Sequence, residues 1–329
     1  MKKIAINGFG RIGRAALKIL LETPGMEVVA VNDLMSIENA AYLFKYDSVY
    51  GVYEGEVSFD GNHLIVNDKK ILFLSEKDPE QLPWKDLEIN VIIESTGFFT
   101  KKEDAEKHIH AGAKHVVISA PTKSKDTPTV LHGVNTLDGN KSIFSCASCT
   151  TNNIGPVLEI IDRRIGIKKA ILNTIHAYTS SQSLIDAPAK RDLRMGRSAA
   201  INLVPASTGA AIAATKVLPQ LEGKFDGMAI RTPVPVGSIS DITFVANRKT
   251  SAEEINNILI EESKTERYKQ VLSASNAPLV SSDILQSPFA SIVDLEMTRV
   301  VDGDLIKIMA WYDNEWGFTN QMIREIQLI

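Results

Sequence analysis

Cys149 is the residue in this chain whose type and setting best suit a nucleophile. It stands in the segment Ser148-Cys149-Thr150-Thr151-Asn152, which we expect to join a strand to a helix. The partial positive charge at a helix N-terminus stabilises a thiolate, so we expect the pKa of Cys149 to be lowered. The hydroxyl and amide side chains around the thiol can cap the helix or bind an oxyanion or a phosphate. The segment therefore indicates covalent catalysis by a cysteine.

Cys146 and His176 also bear on this chemistry. The spacing Cys146-x-x-Cys149 fits a redox pair, but Cys146 better suits a buried structural residue. His176 is expected to end a strand, where it could be a general base or a histidine with a structural role. The sequence leaves both alternatives open, because it does not show whether Cys149 and His176 touch.

A glycine-rich turn near the first residues is typical of dinucleotide binding. The motif Gly8-Phe9-Gly10-Arg11-Ile12-Gly13 follows an apolar run and opens a helical pattern, and Asp33 follows at the end of the next apolar run. Gly8 permits a tight turn, Gly10 lets the backbone approach a pyrophosphate, and Gly13 lets helix and strand pack closely. The helix N-terminus favours the pyrophosphate. Asp33 would bind ribose hydroxyls and repel a 2′-phosphate, which favours NAD over NADP; a glycine-rich turn without a ligand is the alternative.

The elements that must position these residues alternate in the first half of the chain. Apolar residues favour a strand at 3–6, recur at helical spacing over 12–20 and form a second strand at 28–31, which predicts a βαβ unit. Further expected elements are strands at 91–93 and 116–118, a helix at 102–111, and a strand at 142–145 that leads to Cys146. This alternation is typical of a mostly parallel, doubly wound α/β sheet.

Strands outnumber helices after about residue 150, which predicts an α+β second domain with an antiparallel sheet. Asp302-Gly303 is a hairpin signal between the last two strands. The final stretch, 314–329, is expected to form a helix that returns to the first domain. The other expected elements are helices at 152–164 and 209–218 and strands at 170–175, 228–234, 238–247, 289–301 and 304–312.

Composition narrows the class of protein. The chain has 329 residues, enough for about two domains. Its formal net charge of −4 argues against an electrostatic nucleic-acid binder, and no apolar run has the length of a membrane span. We therefore expect a cytoplasmic protein with neither a nucleic-acid nor a membrane partner. His108-x-His110 lies in a polar helical stretch and is expected to face solvent, and the absence of a metal-ligand pattern predicts no metal.

Five segments resemble those of the glyceraldehyde-3-phosphate dehydrogenase family in composition and order. They are Ile6-Asn7-Gly8-Phe9-Gly10-Arg11-Ile12-Gly13-Arg14, Ala111-Gly112-Ala113-Lys114, Ala147-Ser148-Cys149-Thr150-Thr151-Asn152, Ser207-Thr208-Gly209-Ala210-Ala211 and Trp311-Tyr312-Asp313-Asn314-Glu315. The resemblance covers nearly the whole chain. It implies an NAD-binding domain of Rossmann type at 1–148, to which the helix 314–329 returns, a catalytic domain at 149–313, and a homotetramer.

The resemblance also implies a reaction: oxidative phosphorylation of D-glyceraldehyde 3-phosphate to 1,3-bisphosphoglycerate with NAD and inorganic phosphate, as in glycolysis. Cys149 would attack the aldehyde to form a thiohemiacetal, and His176 would take the hydroxyl proton as hydride leaves for the nicotinamide. Phosphate would then attack the resulting thioester to give an acyl phosphate. The backbone N–H of Cys149 and the side chain of His176 would stabilise the tetrahedral oxyanions.

Matching positions in the family imply further site residues. Those matched to NAD contacts are Gly8, Gly10, Arg11, Ile12, Gly13, Asp33, Lys77, Ser119 and Asn314, with Asn314 at the nicotinamide amide. Those matched to inorganic phosphate are Ser148, Thr150, Thr208 and Gly209, and those matched to the substrate phosphate are Thr179, Ser181 and Arg231. Without the resemblance, each serine or threonine would better suit a cap or a turn.

Some positions depart from the residues common in the family. They are Cys146, Asn153, Ser181, Met195, Ile212 and Phe318. None of these changes removes the nucleophile, the base or Arg231. Two alternatives remain: an erythrose 4-phosphate dehydrogenase, in which water would release the acid, and a non-catalytic NAD-binding protein. The second would be expected to have lost Cys149, His176 or Arg231, and all three are present.

Overall fold

The chain forms two compact units. The computed structural model describes residues 1–137, 141–189 and 192–329. Unit 1 comprises Met1–Val130, Leu137–Ala147 and Met322–Ile329, and unit 2 comprises Leu131–Thr136 and Ser148–Gln321.

An eight-stranded sheet is the centre of unit 1. The strands of this unit are β1 (Lys2–Asn7), β2 (Met26–Asn32), β3 (Tyr46–Asp47), β4 (Gly51–Val52), β5 (Val57–Asp60), β6 (His63–Val66), β7 (Lys69–Leu74), β8 (Val91–Glu94), β9 (His115–Ile118) and β10 (Ile143–Ser145). The large sheet has the order β10-β9-β8-β1-β2-β7-β6-β5, and β3 and β4 pair separately. Neighbours from β10 to β7 are parallel, which confirms the predicted α/β class.

The antiparallel edge of this sheet was not among the predicted elements. Strand β5 pairs antiparallel with β6, and β6 pairs antiparallel with β7. Asn67 and Asp68, between β6 and β7, have φ angles of 47° and 65°. Two successive residues with positive φ are what a two-residue hairpin turn requires, and Asn and Asp tolerate that conformation better than other non-glycine residues.

Glycines fix how the first strand meets the first helix. The helices of unit 1 are α1 (Arg11–Leu21), α2 (Ile37–Lys45) and α3 (Lys102–His110). Gly8 has φ +96°, and a Cβ there would lie 2.6 Å from the backbone nitrogen of Thr96. A Cβ on Gly13 would lie 2.0 Å from the carbonyl oxygen of Gly8. Both positions therefore exclude any side chain, and the N-terminus of α1 is held against the end of β1.

Unit 2 is built on a seven-stranded sheet with the order β12-β13-β11-β14-β17-β16-β15. Its strands are β11 (Ile167–Ala177), β12 (Val204–Ser207), β13 (Phe225–Thr232), β14 (Ser238–Ala246), β15 (Leu272–Ser275), β16 (Ser291–Val301) and β17 (Leu305–Tyr312). Four of the six neighbouring pairs are antiparallel, as predicted for this part of the chain, and the pairs β11–β13 and β15–β16 are parallel. Asp302 and Gly303 join β16 to β17 with φ angles of 46° and 76°, which confirms the predicted hairpin.

Helices α4, α5 and α6, whose ranges follow, contact strands of the sheet in unit 2. They are α4 (Cys149–Arg164), α5 (Ala210–Val217) and α6 (Ala252–Ser263), and α7 (Trp316–Leu328) begins in unit 2 and ends in unit 1. Helix α4 contacts β14, β16 and β17 as well as α5 and α6. It buries Ile154, Val157, Leu158 and Ile161. Because α4 lies at the centre of this core, its first residues have a fixed position.

The expectation that both histidines of α3 face solvent is wrong for His108. Its side chain is fully buried in unit 1, whereas His110 is exposed. The Nδ1 atom of His108 accepts a hydrogen bond of 2.9 Å from the indole of Trp84, and its Nε2 lies 3.1 Å from Glu94. These two partners compensate for burying a polar ring, which sequence periodicity does not reveal.

The sequence predicts neither a membrane span nor a metal site, and the structure bears on both over residues 1–137, 141–189 and 192–329. No helix in these ranges is long and apolar enough to cross a bilayer. The same ranges contain no group of three or more His, Cys, Asp and Glu side chains that could hold a metal ion.

Candidate active site

Cys149 is the first residue of α4. Ser148 caps the helix, because its hydroxyl oxygen accepts a hydrogen bond of 3.1 Å from the backbone N–H of Thr151. The helix begins three residues before the predicted start at 152, so the thiol lies within the first turn. The residue before the cap, Ala147, is fully buried and has φ +56°, a conformation that non-glycine residues rarely adopt. This tight entry to α4 is a feature that the sequence pattern did not indicate.

The structure brings Cys149 and His176 together. The Sγ atom of Cys149 lies 3.4 Å from Nε2 of His176. His176 is the penultimate residue of β11, and only 5% of it is exposed. Both residues belong to unit 2. The sequence left open whether His176 was a base or a structural histidine, and this distance allows proton transfer between the thiol and the ring.

A hydrogen-bond acceptor and a hydrogen-bond donor both lie near the other ring nitrogen of His176. Its Nδ1 lies 2.7 Å from the carbonyl oxygen of Ala177 and 2.8 Å from Nη1 of Arg231, and Arg231 also donates to that carbonyl at 3.1 Å. A carbonyl only accepts and a guanidinium only donates. When Nδ1 carries the proton and donates it to Ala177, Nε2 presents a lone pair to Cys149, as a general base must.

Burial and Arg231 keep the imidazole neutral. Burial, and next the positive charge of Arg231, lower the pKa of His176 to about 4, while the carbonyl of Ala177 acts in the opposite direction. At neutral pH the ring is therefore unprotonated at one nitrogen and able to take a proton. A structural histidine on the surface would not show this pairing of a neutral ring with an adjacent thiol.

The expectation of a lowered thiol pKa is wrong for the protein without substrate. Burial raises the pKa of Cys149. The charge of Arg231, hydrogen bonds from the amide and hydroxyl of Thr150, and the amide of Cys149 itself all act in the opposite direction but do not outweigh burial. Burial therefore favours the thiol form of Cys149 beside a ring of His176 that is also kept neutral. Burial was invisible in the sequence, whereas the helix N-terminus was visible.

The residues predicted to hold phosphates have varied surroundings. Arg231 is partly buried beside His176. Thr179 and Ser181 lie close together in the segment after β11, with their hydroxyl oxygens 2.8 Å apart. Gly209 is the N-cap of α5, and the hydroxyl of Thr208 accepts a hydrogen bond of 3.2 Å from the N–H of Ala210.

A cavity of about 840 Å³ lies in unit 1 at the carboxyl ends of the parallel strands. Four predicted cofactor residues line it: Gly8, Gly10, Asp33 and Lys77. The carboxylate of Asp33 accepts hydrogen bonds of 2.6 Å from the N–H of Phe9 and 3.0 Å from the N–H of Met35. These two bonds fix the position of the carboxylate at the cavity. The volume, the fixed acid and the side-chain-free turn at the N-terminus of α1 fit a dinucleotide.

The remaining predicted cofactor residues are not among those that line this cavity. Gly13 packs on Gly8, and Ile12 is the second residue of α1. The side chain of Arg11 forms an ion pair of 2.8 Å with Asp47. Ser119 follows β9, and its N–H donates to the carbonyl of Glu94.

Asn314 belongs to unit 2. Its Oδ1 accepts hydrogen bonds of 3.1 Å from both the N–H of Gly237 and the hydroxyl of Ser238. These two donors fix the orientation of the amide, so that its NH₂ group is the end left for another partner.

Sequence reasoning missed several residues of the cavity and one of the thiol site. Asn7, Asn32, Thr96, Phe98 and Phe99 also line the cavity. Asn7 and Asn32 directly follow the predicted strands at 3–6 and 28–31, a position that could have identified them. Tyr312 was noted only as part of a motif, yet its buried hydroxyl lies 2.9 Å from that of Thr150, and its ring meets that of His176 edge-on at 5.9 Å.

Comparison with known proteins gives two family matches. Residues 2–102 match the model for the NAD binding domain of glyceraldehyde 3-phosphate dehydrogenase, and residues 148–314 match the model for its C-terminal domain. Similar proteins include the glyceraldehyde-3-phosphate dehydrogenases of Clostridium acetobutylicum (46% identical, covering 99% of this chain and 98% of the relative), Geobacillus stearothermophilus (44%, 98% and 96%) and Thermotoga maritima (45%, 100% and 99%).

Proposed function

Since this chain belongs to the glyceraldehyde-3-phosphate dehydrogenase family, we propose that Cys149 and His176 carry out the family's reaction on D-glyceraldehyde 3-phosphate. The chain is an NAD-dependent phosphorylating aldehyde dehydrogenase of glycolysis. The relatives favour this activity over an erythrose 4-phosphate dehydrogenase and over a non-catalytic NAD-binding protein. The observation that carries the residue assignment is the 3.4 Å approach of the thiol sulfur to Nε2.

The first step is nucleophilic attack by Cys149. The thiol proton passes to Nε2 of His176, and the sulfur forms a bond with the aldehyde carbon as the carbonyl electrons move to oxygen. That oxygen takes the proton back from Nε2, which yields a thiohemiacetal and a neutral ring. The backbone N–H of Cys149 and the protonated ring stabilise the negative oxygen during this exchange.

His176 then acts as the base for oxidation. Nε2 takes the hydroxyl proton while the carbon loses hydride and becomes the carbonyl of a thioester on Cys149. NAD, when bound, accepts that hydride. An oxygen of inorganic phosphate next attacks the thioester, the carbon–sulfur bond breaks, and the leaving sulfur takes the proton held on Nε2. The acyl phosphate is released, and the thiol and the neutral ring are restored. The low pKa of His176 keeps the ring ready to take each proton near neutral pH.

Unit 1 is proposed to be the cofactor domain and unit 2 the catalytic domain. The cavity in unit 1, its fixed Asp33 and the exposed N-terminus of α1 support NAD binding there. The proposed NAD contacts are Gly8, Gly10, Arg11, Ile12, Gly13, Asp33, Lys77, Ser119 and Asn314. For Arg11 the contact would come from its backbone, because its side chain is paired with Asp47.

Two anion sites complete the proposal. Thr179, Ser181 and Arg231 are proposed for the substrate phosphate, since a guanidinium fork and two neighbouring hydroxyls suit it. Ser148, Thr208 and Gly209 are proposed for inorganic phosphate, because they stand at the N-termini of α4 and α5. Thr150 is proposed for the same phosphate, because the resemblance matches it to that site; its hydroxyl is buried 2.9 Å from that of Tyr312.

A homotetramer is also proposed, and a cytoplasmic location follows from the glycolytic reaction. Large apolar side chains are exposed on unit 2, including Ile171 and Met228 on the sheet, each 52% exposed, and Ile201 at 79%. Ile171 and Met228 lie on the neighbouring strands β11 and β13, and contiguous apolar exposure is typical of surfaces that bind other subunits. Light scattering on the purified protein should give four times the mass of one chain; a monomer would contradict the assignment.

The catalytic proposal is tested by the rate of NADH formation with substrate and NAD while inorganic phosphate is varied. Turnover should depend on phosphate, and Cys149→Ser should abolish it. A rate independent of phosphate would favour release of the acid by water, and full turnover by Cys149→Ser would overturn the proposal.

A further inference from the structure

The last residues of three neighbouring strands in unit 1 form a row of polar side chains. Glu94 ends β8, Asn7 ends β1 and Asn32 ends β2, and the parallel register pairs Asn7 with each of the other two. All three residues are buried. Asn7 and Asn32 line the cavity proposed for NAD, whereas Glu94 is not part of the lining.

The carboxylate of Glu94 accepts hydrogen bonds at both of its oxygens. Oε1 accepts from the N–H of Thr96 at 2.9 Å and from the Thr96 hydroxyl. Oε2 lies 2.6 Å from Nδ2 of Asn7 and 3.1 Å from Nε2 of His108. Because a carboxylate only accepts, four surrounding donors suit it and compensate for its burial.

Two chains of hydrogen bonds end at this carboxylate, and the first begins at Trp84. The indole N–H of Trp84 donates to Nδ1 of His108 over 2.9 Å. An indole nitrogen can only donate, so Nδ1 accepts and the ring proton is on Nε2, where it is directed at Glu94. The ring of His108 also meets that of Phe99, which lines the cavity, edge-on with centroids 6.3 Å apart.

The second chain begins at the backbone of Glu76. Its N–H donates to Oδ1 of Asn32 at 2.8 Å, and Nδ2 of Asn32 donates back to the Glu76 carbonyl at 2.9 Å. The same Nδ2 donates to Oδ1 of Asn7 at 2.7 Å, which turns the NH₂ group of Asn7 toward Glu94. Because a backbone N–H can only donate, this chain also has one direction.

The network joins three segments that line the cavity. They are the glycine turn through Asn7, the segment 76–78 through Asn32, and the loop 95–99 through Thr96. The loop depends most on the network, because Phe98 is 83% exposed and contributes little packing. Oγ1 of Thr96, which Glu94 fixes, accepts a hydrogen bond of 3.1 Å from the N–H of Phe98.

We propose that Glu94 is a positioning residue for the cofactor, because its carboxylate, together with His108, fixes the wall of the NAD cavity and so sets the affinity for NAD. This role rests on the proposed function of unit 1 as the cofactor domain. A wall that is already ordered loses little conformational freedom when the dinucleotide binds. Glu94 does not touch the cofactor and acts through Asn7 and Thr96.

Glu94→Gln tests this role because it keeps the size of the side chain and replaces an acceptor by a donor. If the amide oxygen stays with Thr96, the amide NH₂ faces the donors of Asn7 and His108, and these groups lose their partner. The affinity for NAD, measured by calorimetry, should fall about tenfold. Native affinity in this variant would overturn the proposed role.

Exchanging the amide and the carboxylate between positions 7 and 94 should restore the network. In the double variant Asn7→Asp/Glu94→Gln, the carboxylate at position 7 accepts from the amide at position 94, and its other oxygen still accepts from Asn32. It is also an acceptor for His108, whose Nε2 lies 3.3 Å from Nδ2 of Asn7.

NAD affinity in the double variant should therefore return to within about threefold of the native value. Asn7→Asp alone brings two carboxylates together and should weaken binding about tenfold or more. Losses that simply add in the double variant would show general damage to the fold and not a positioning role.

Two comparisons control for loss of stability. Glu262, in unit 2, is another buried carboxylate, paired with Arg163 and Arg164 at 3.0 and 2.8 Å, and Glu262→Gln should leave NAD affinity unchanged. Thermal unfolding shows whether each variant is folded. If Glu94→Gln is not, Thr96→Val should still weaken NAD binding about fivefold while Thr96→Ser, which keeps the hydroxyl, binds as the native protein does; equal affinities would contradict the role of Glu94.

Failure of the proposed function would look different. A native protein that does not bind NAD would contradict the cofactor domain itself, whereas a native protein that binds NAD no better than Glu94→Gln would contradict only the positioning role. Alkylation of Cys149 by iodoacetamide without NAD should proceed at the native rate in Glu94→Gln, because the network lies in unit 1 and Cys149 in unit 2.

Discussion

Arg231 lies against the ring of His176, and its charge should be measurable in the titration of that ring. Nη1 of Arg231 is 2.8 Å from Nδ1, and the guanidinium cannot lose its proton. Replacing Arg231 by glutamine removes the charge and keeps a side chain that can still donate to the carbonyl of Ala177. The pKa of His176 should then rise, because a positive neighbour no longer opposes a positive ring.

The size of the rise follows from the causes of the present value. The pKa of His176 is lowered from 6.5 to about 4, with burial as the larger cause and Arg231 as the second. Arg231 and burial act together against the carbonyl of Ala177, so removing the charge of Arg231 should raise the pKa of His176 in the Arg231→Gln variant by about one pH unit. The same change should raise the pKa of Cys149, because the positive charge that favours the thiolate is lost.

The assay is a titration of His176 in the protein without substrate, followed by NMR of isotope-labelled histidine. Turnover is unsuitable, because Arg231 is also proposed to bind the substrate phosphate. Arg231→Lys provides the matched control: it keeps a positive charge at the same position, and the histidine should titrate close to the native value. A glutamine variant whose His176 still titrates near 4, or lower, would show that the charge of Arg231 does not keep the ring neutral.

Three further predictions use other parts of the structure. Unfolding restores the ordinary pKa of His176. Between pH 6.5 and about 4, the unfolded chain therefore binds a proton at His176 that the folded chain does not bind. The free energy of unfolding should thus fall with decreasing pH in that window by up to about 1.4 kcal/mol per unit, and chemical denaturation of His176→Asn should lack this contribution. Gly13→Ala would place a Cβ 2.0 Å from the carbonyl oxygen of Gly8 and should weaken NAD binding at least tenfold by calorimetry, about 1.4 kcal/mol; native affinity would contradict the close packing described. Burial raises the pKa of Cys146 well above its usual range, so peptide mapping after brief iodoacetamide treatment should find label on Cys149, and Cys146→Ser should not change the labelling rate.

Local pattern was sufficient to predict the cofactor turn. Gly8 and Gly13 stand where the backbone closes on itself, and the sequence motif identified both because their requirement is local. The two sheets and the hairpin at Asp302-Gly303 could also be predicted, since strand spacing and turn chemistry are visible along the chain. The antiparallel edge formed by β5, β6 and β7 was missed.

The sequence did not reveal which side chains are buried, and burial determines the properties of Cys149, His176 and His108. The approach of Cys149 to His176 depends on the pairing of β11 within the sheet and on the packing of α4 over it, both of which are long-range. Backbone amides at the N-terminus of α4 lower the pKa of the Cys149 thiol, as predicted, but burial raises it by more. His108 shows the same limit, because a polar helical pattern concealed a buried ring with two buried partners.

Catalysis by the proposed route requires that Cys149 carries the acyl group and that His176 takes the proton during oxidation. The direct measurement is a single turnover with substrate and NAD in the absence of inorganic phosphate, quenched rapidly and analysed both for NADH and for the mass of the peptide containing Cys149. We predict one NADH per site together with one acyl group in thioester linkage on Cys149, and a much slower appearance of both in His176→Asn. NADH formed without an adduct on Cys149, or at an unchanged rate in His176→Asn, would contradict it.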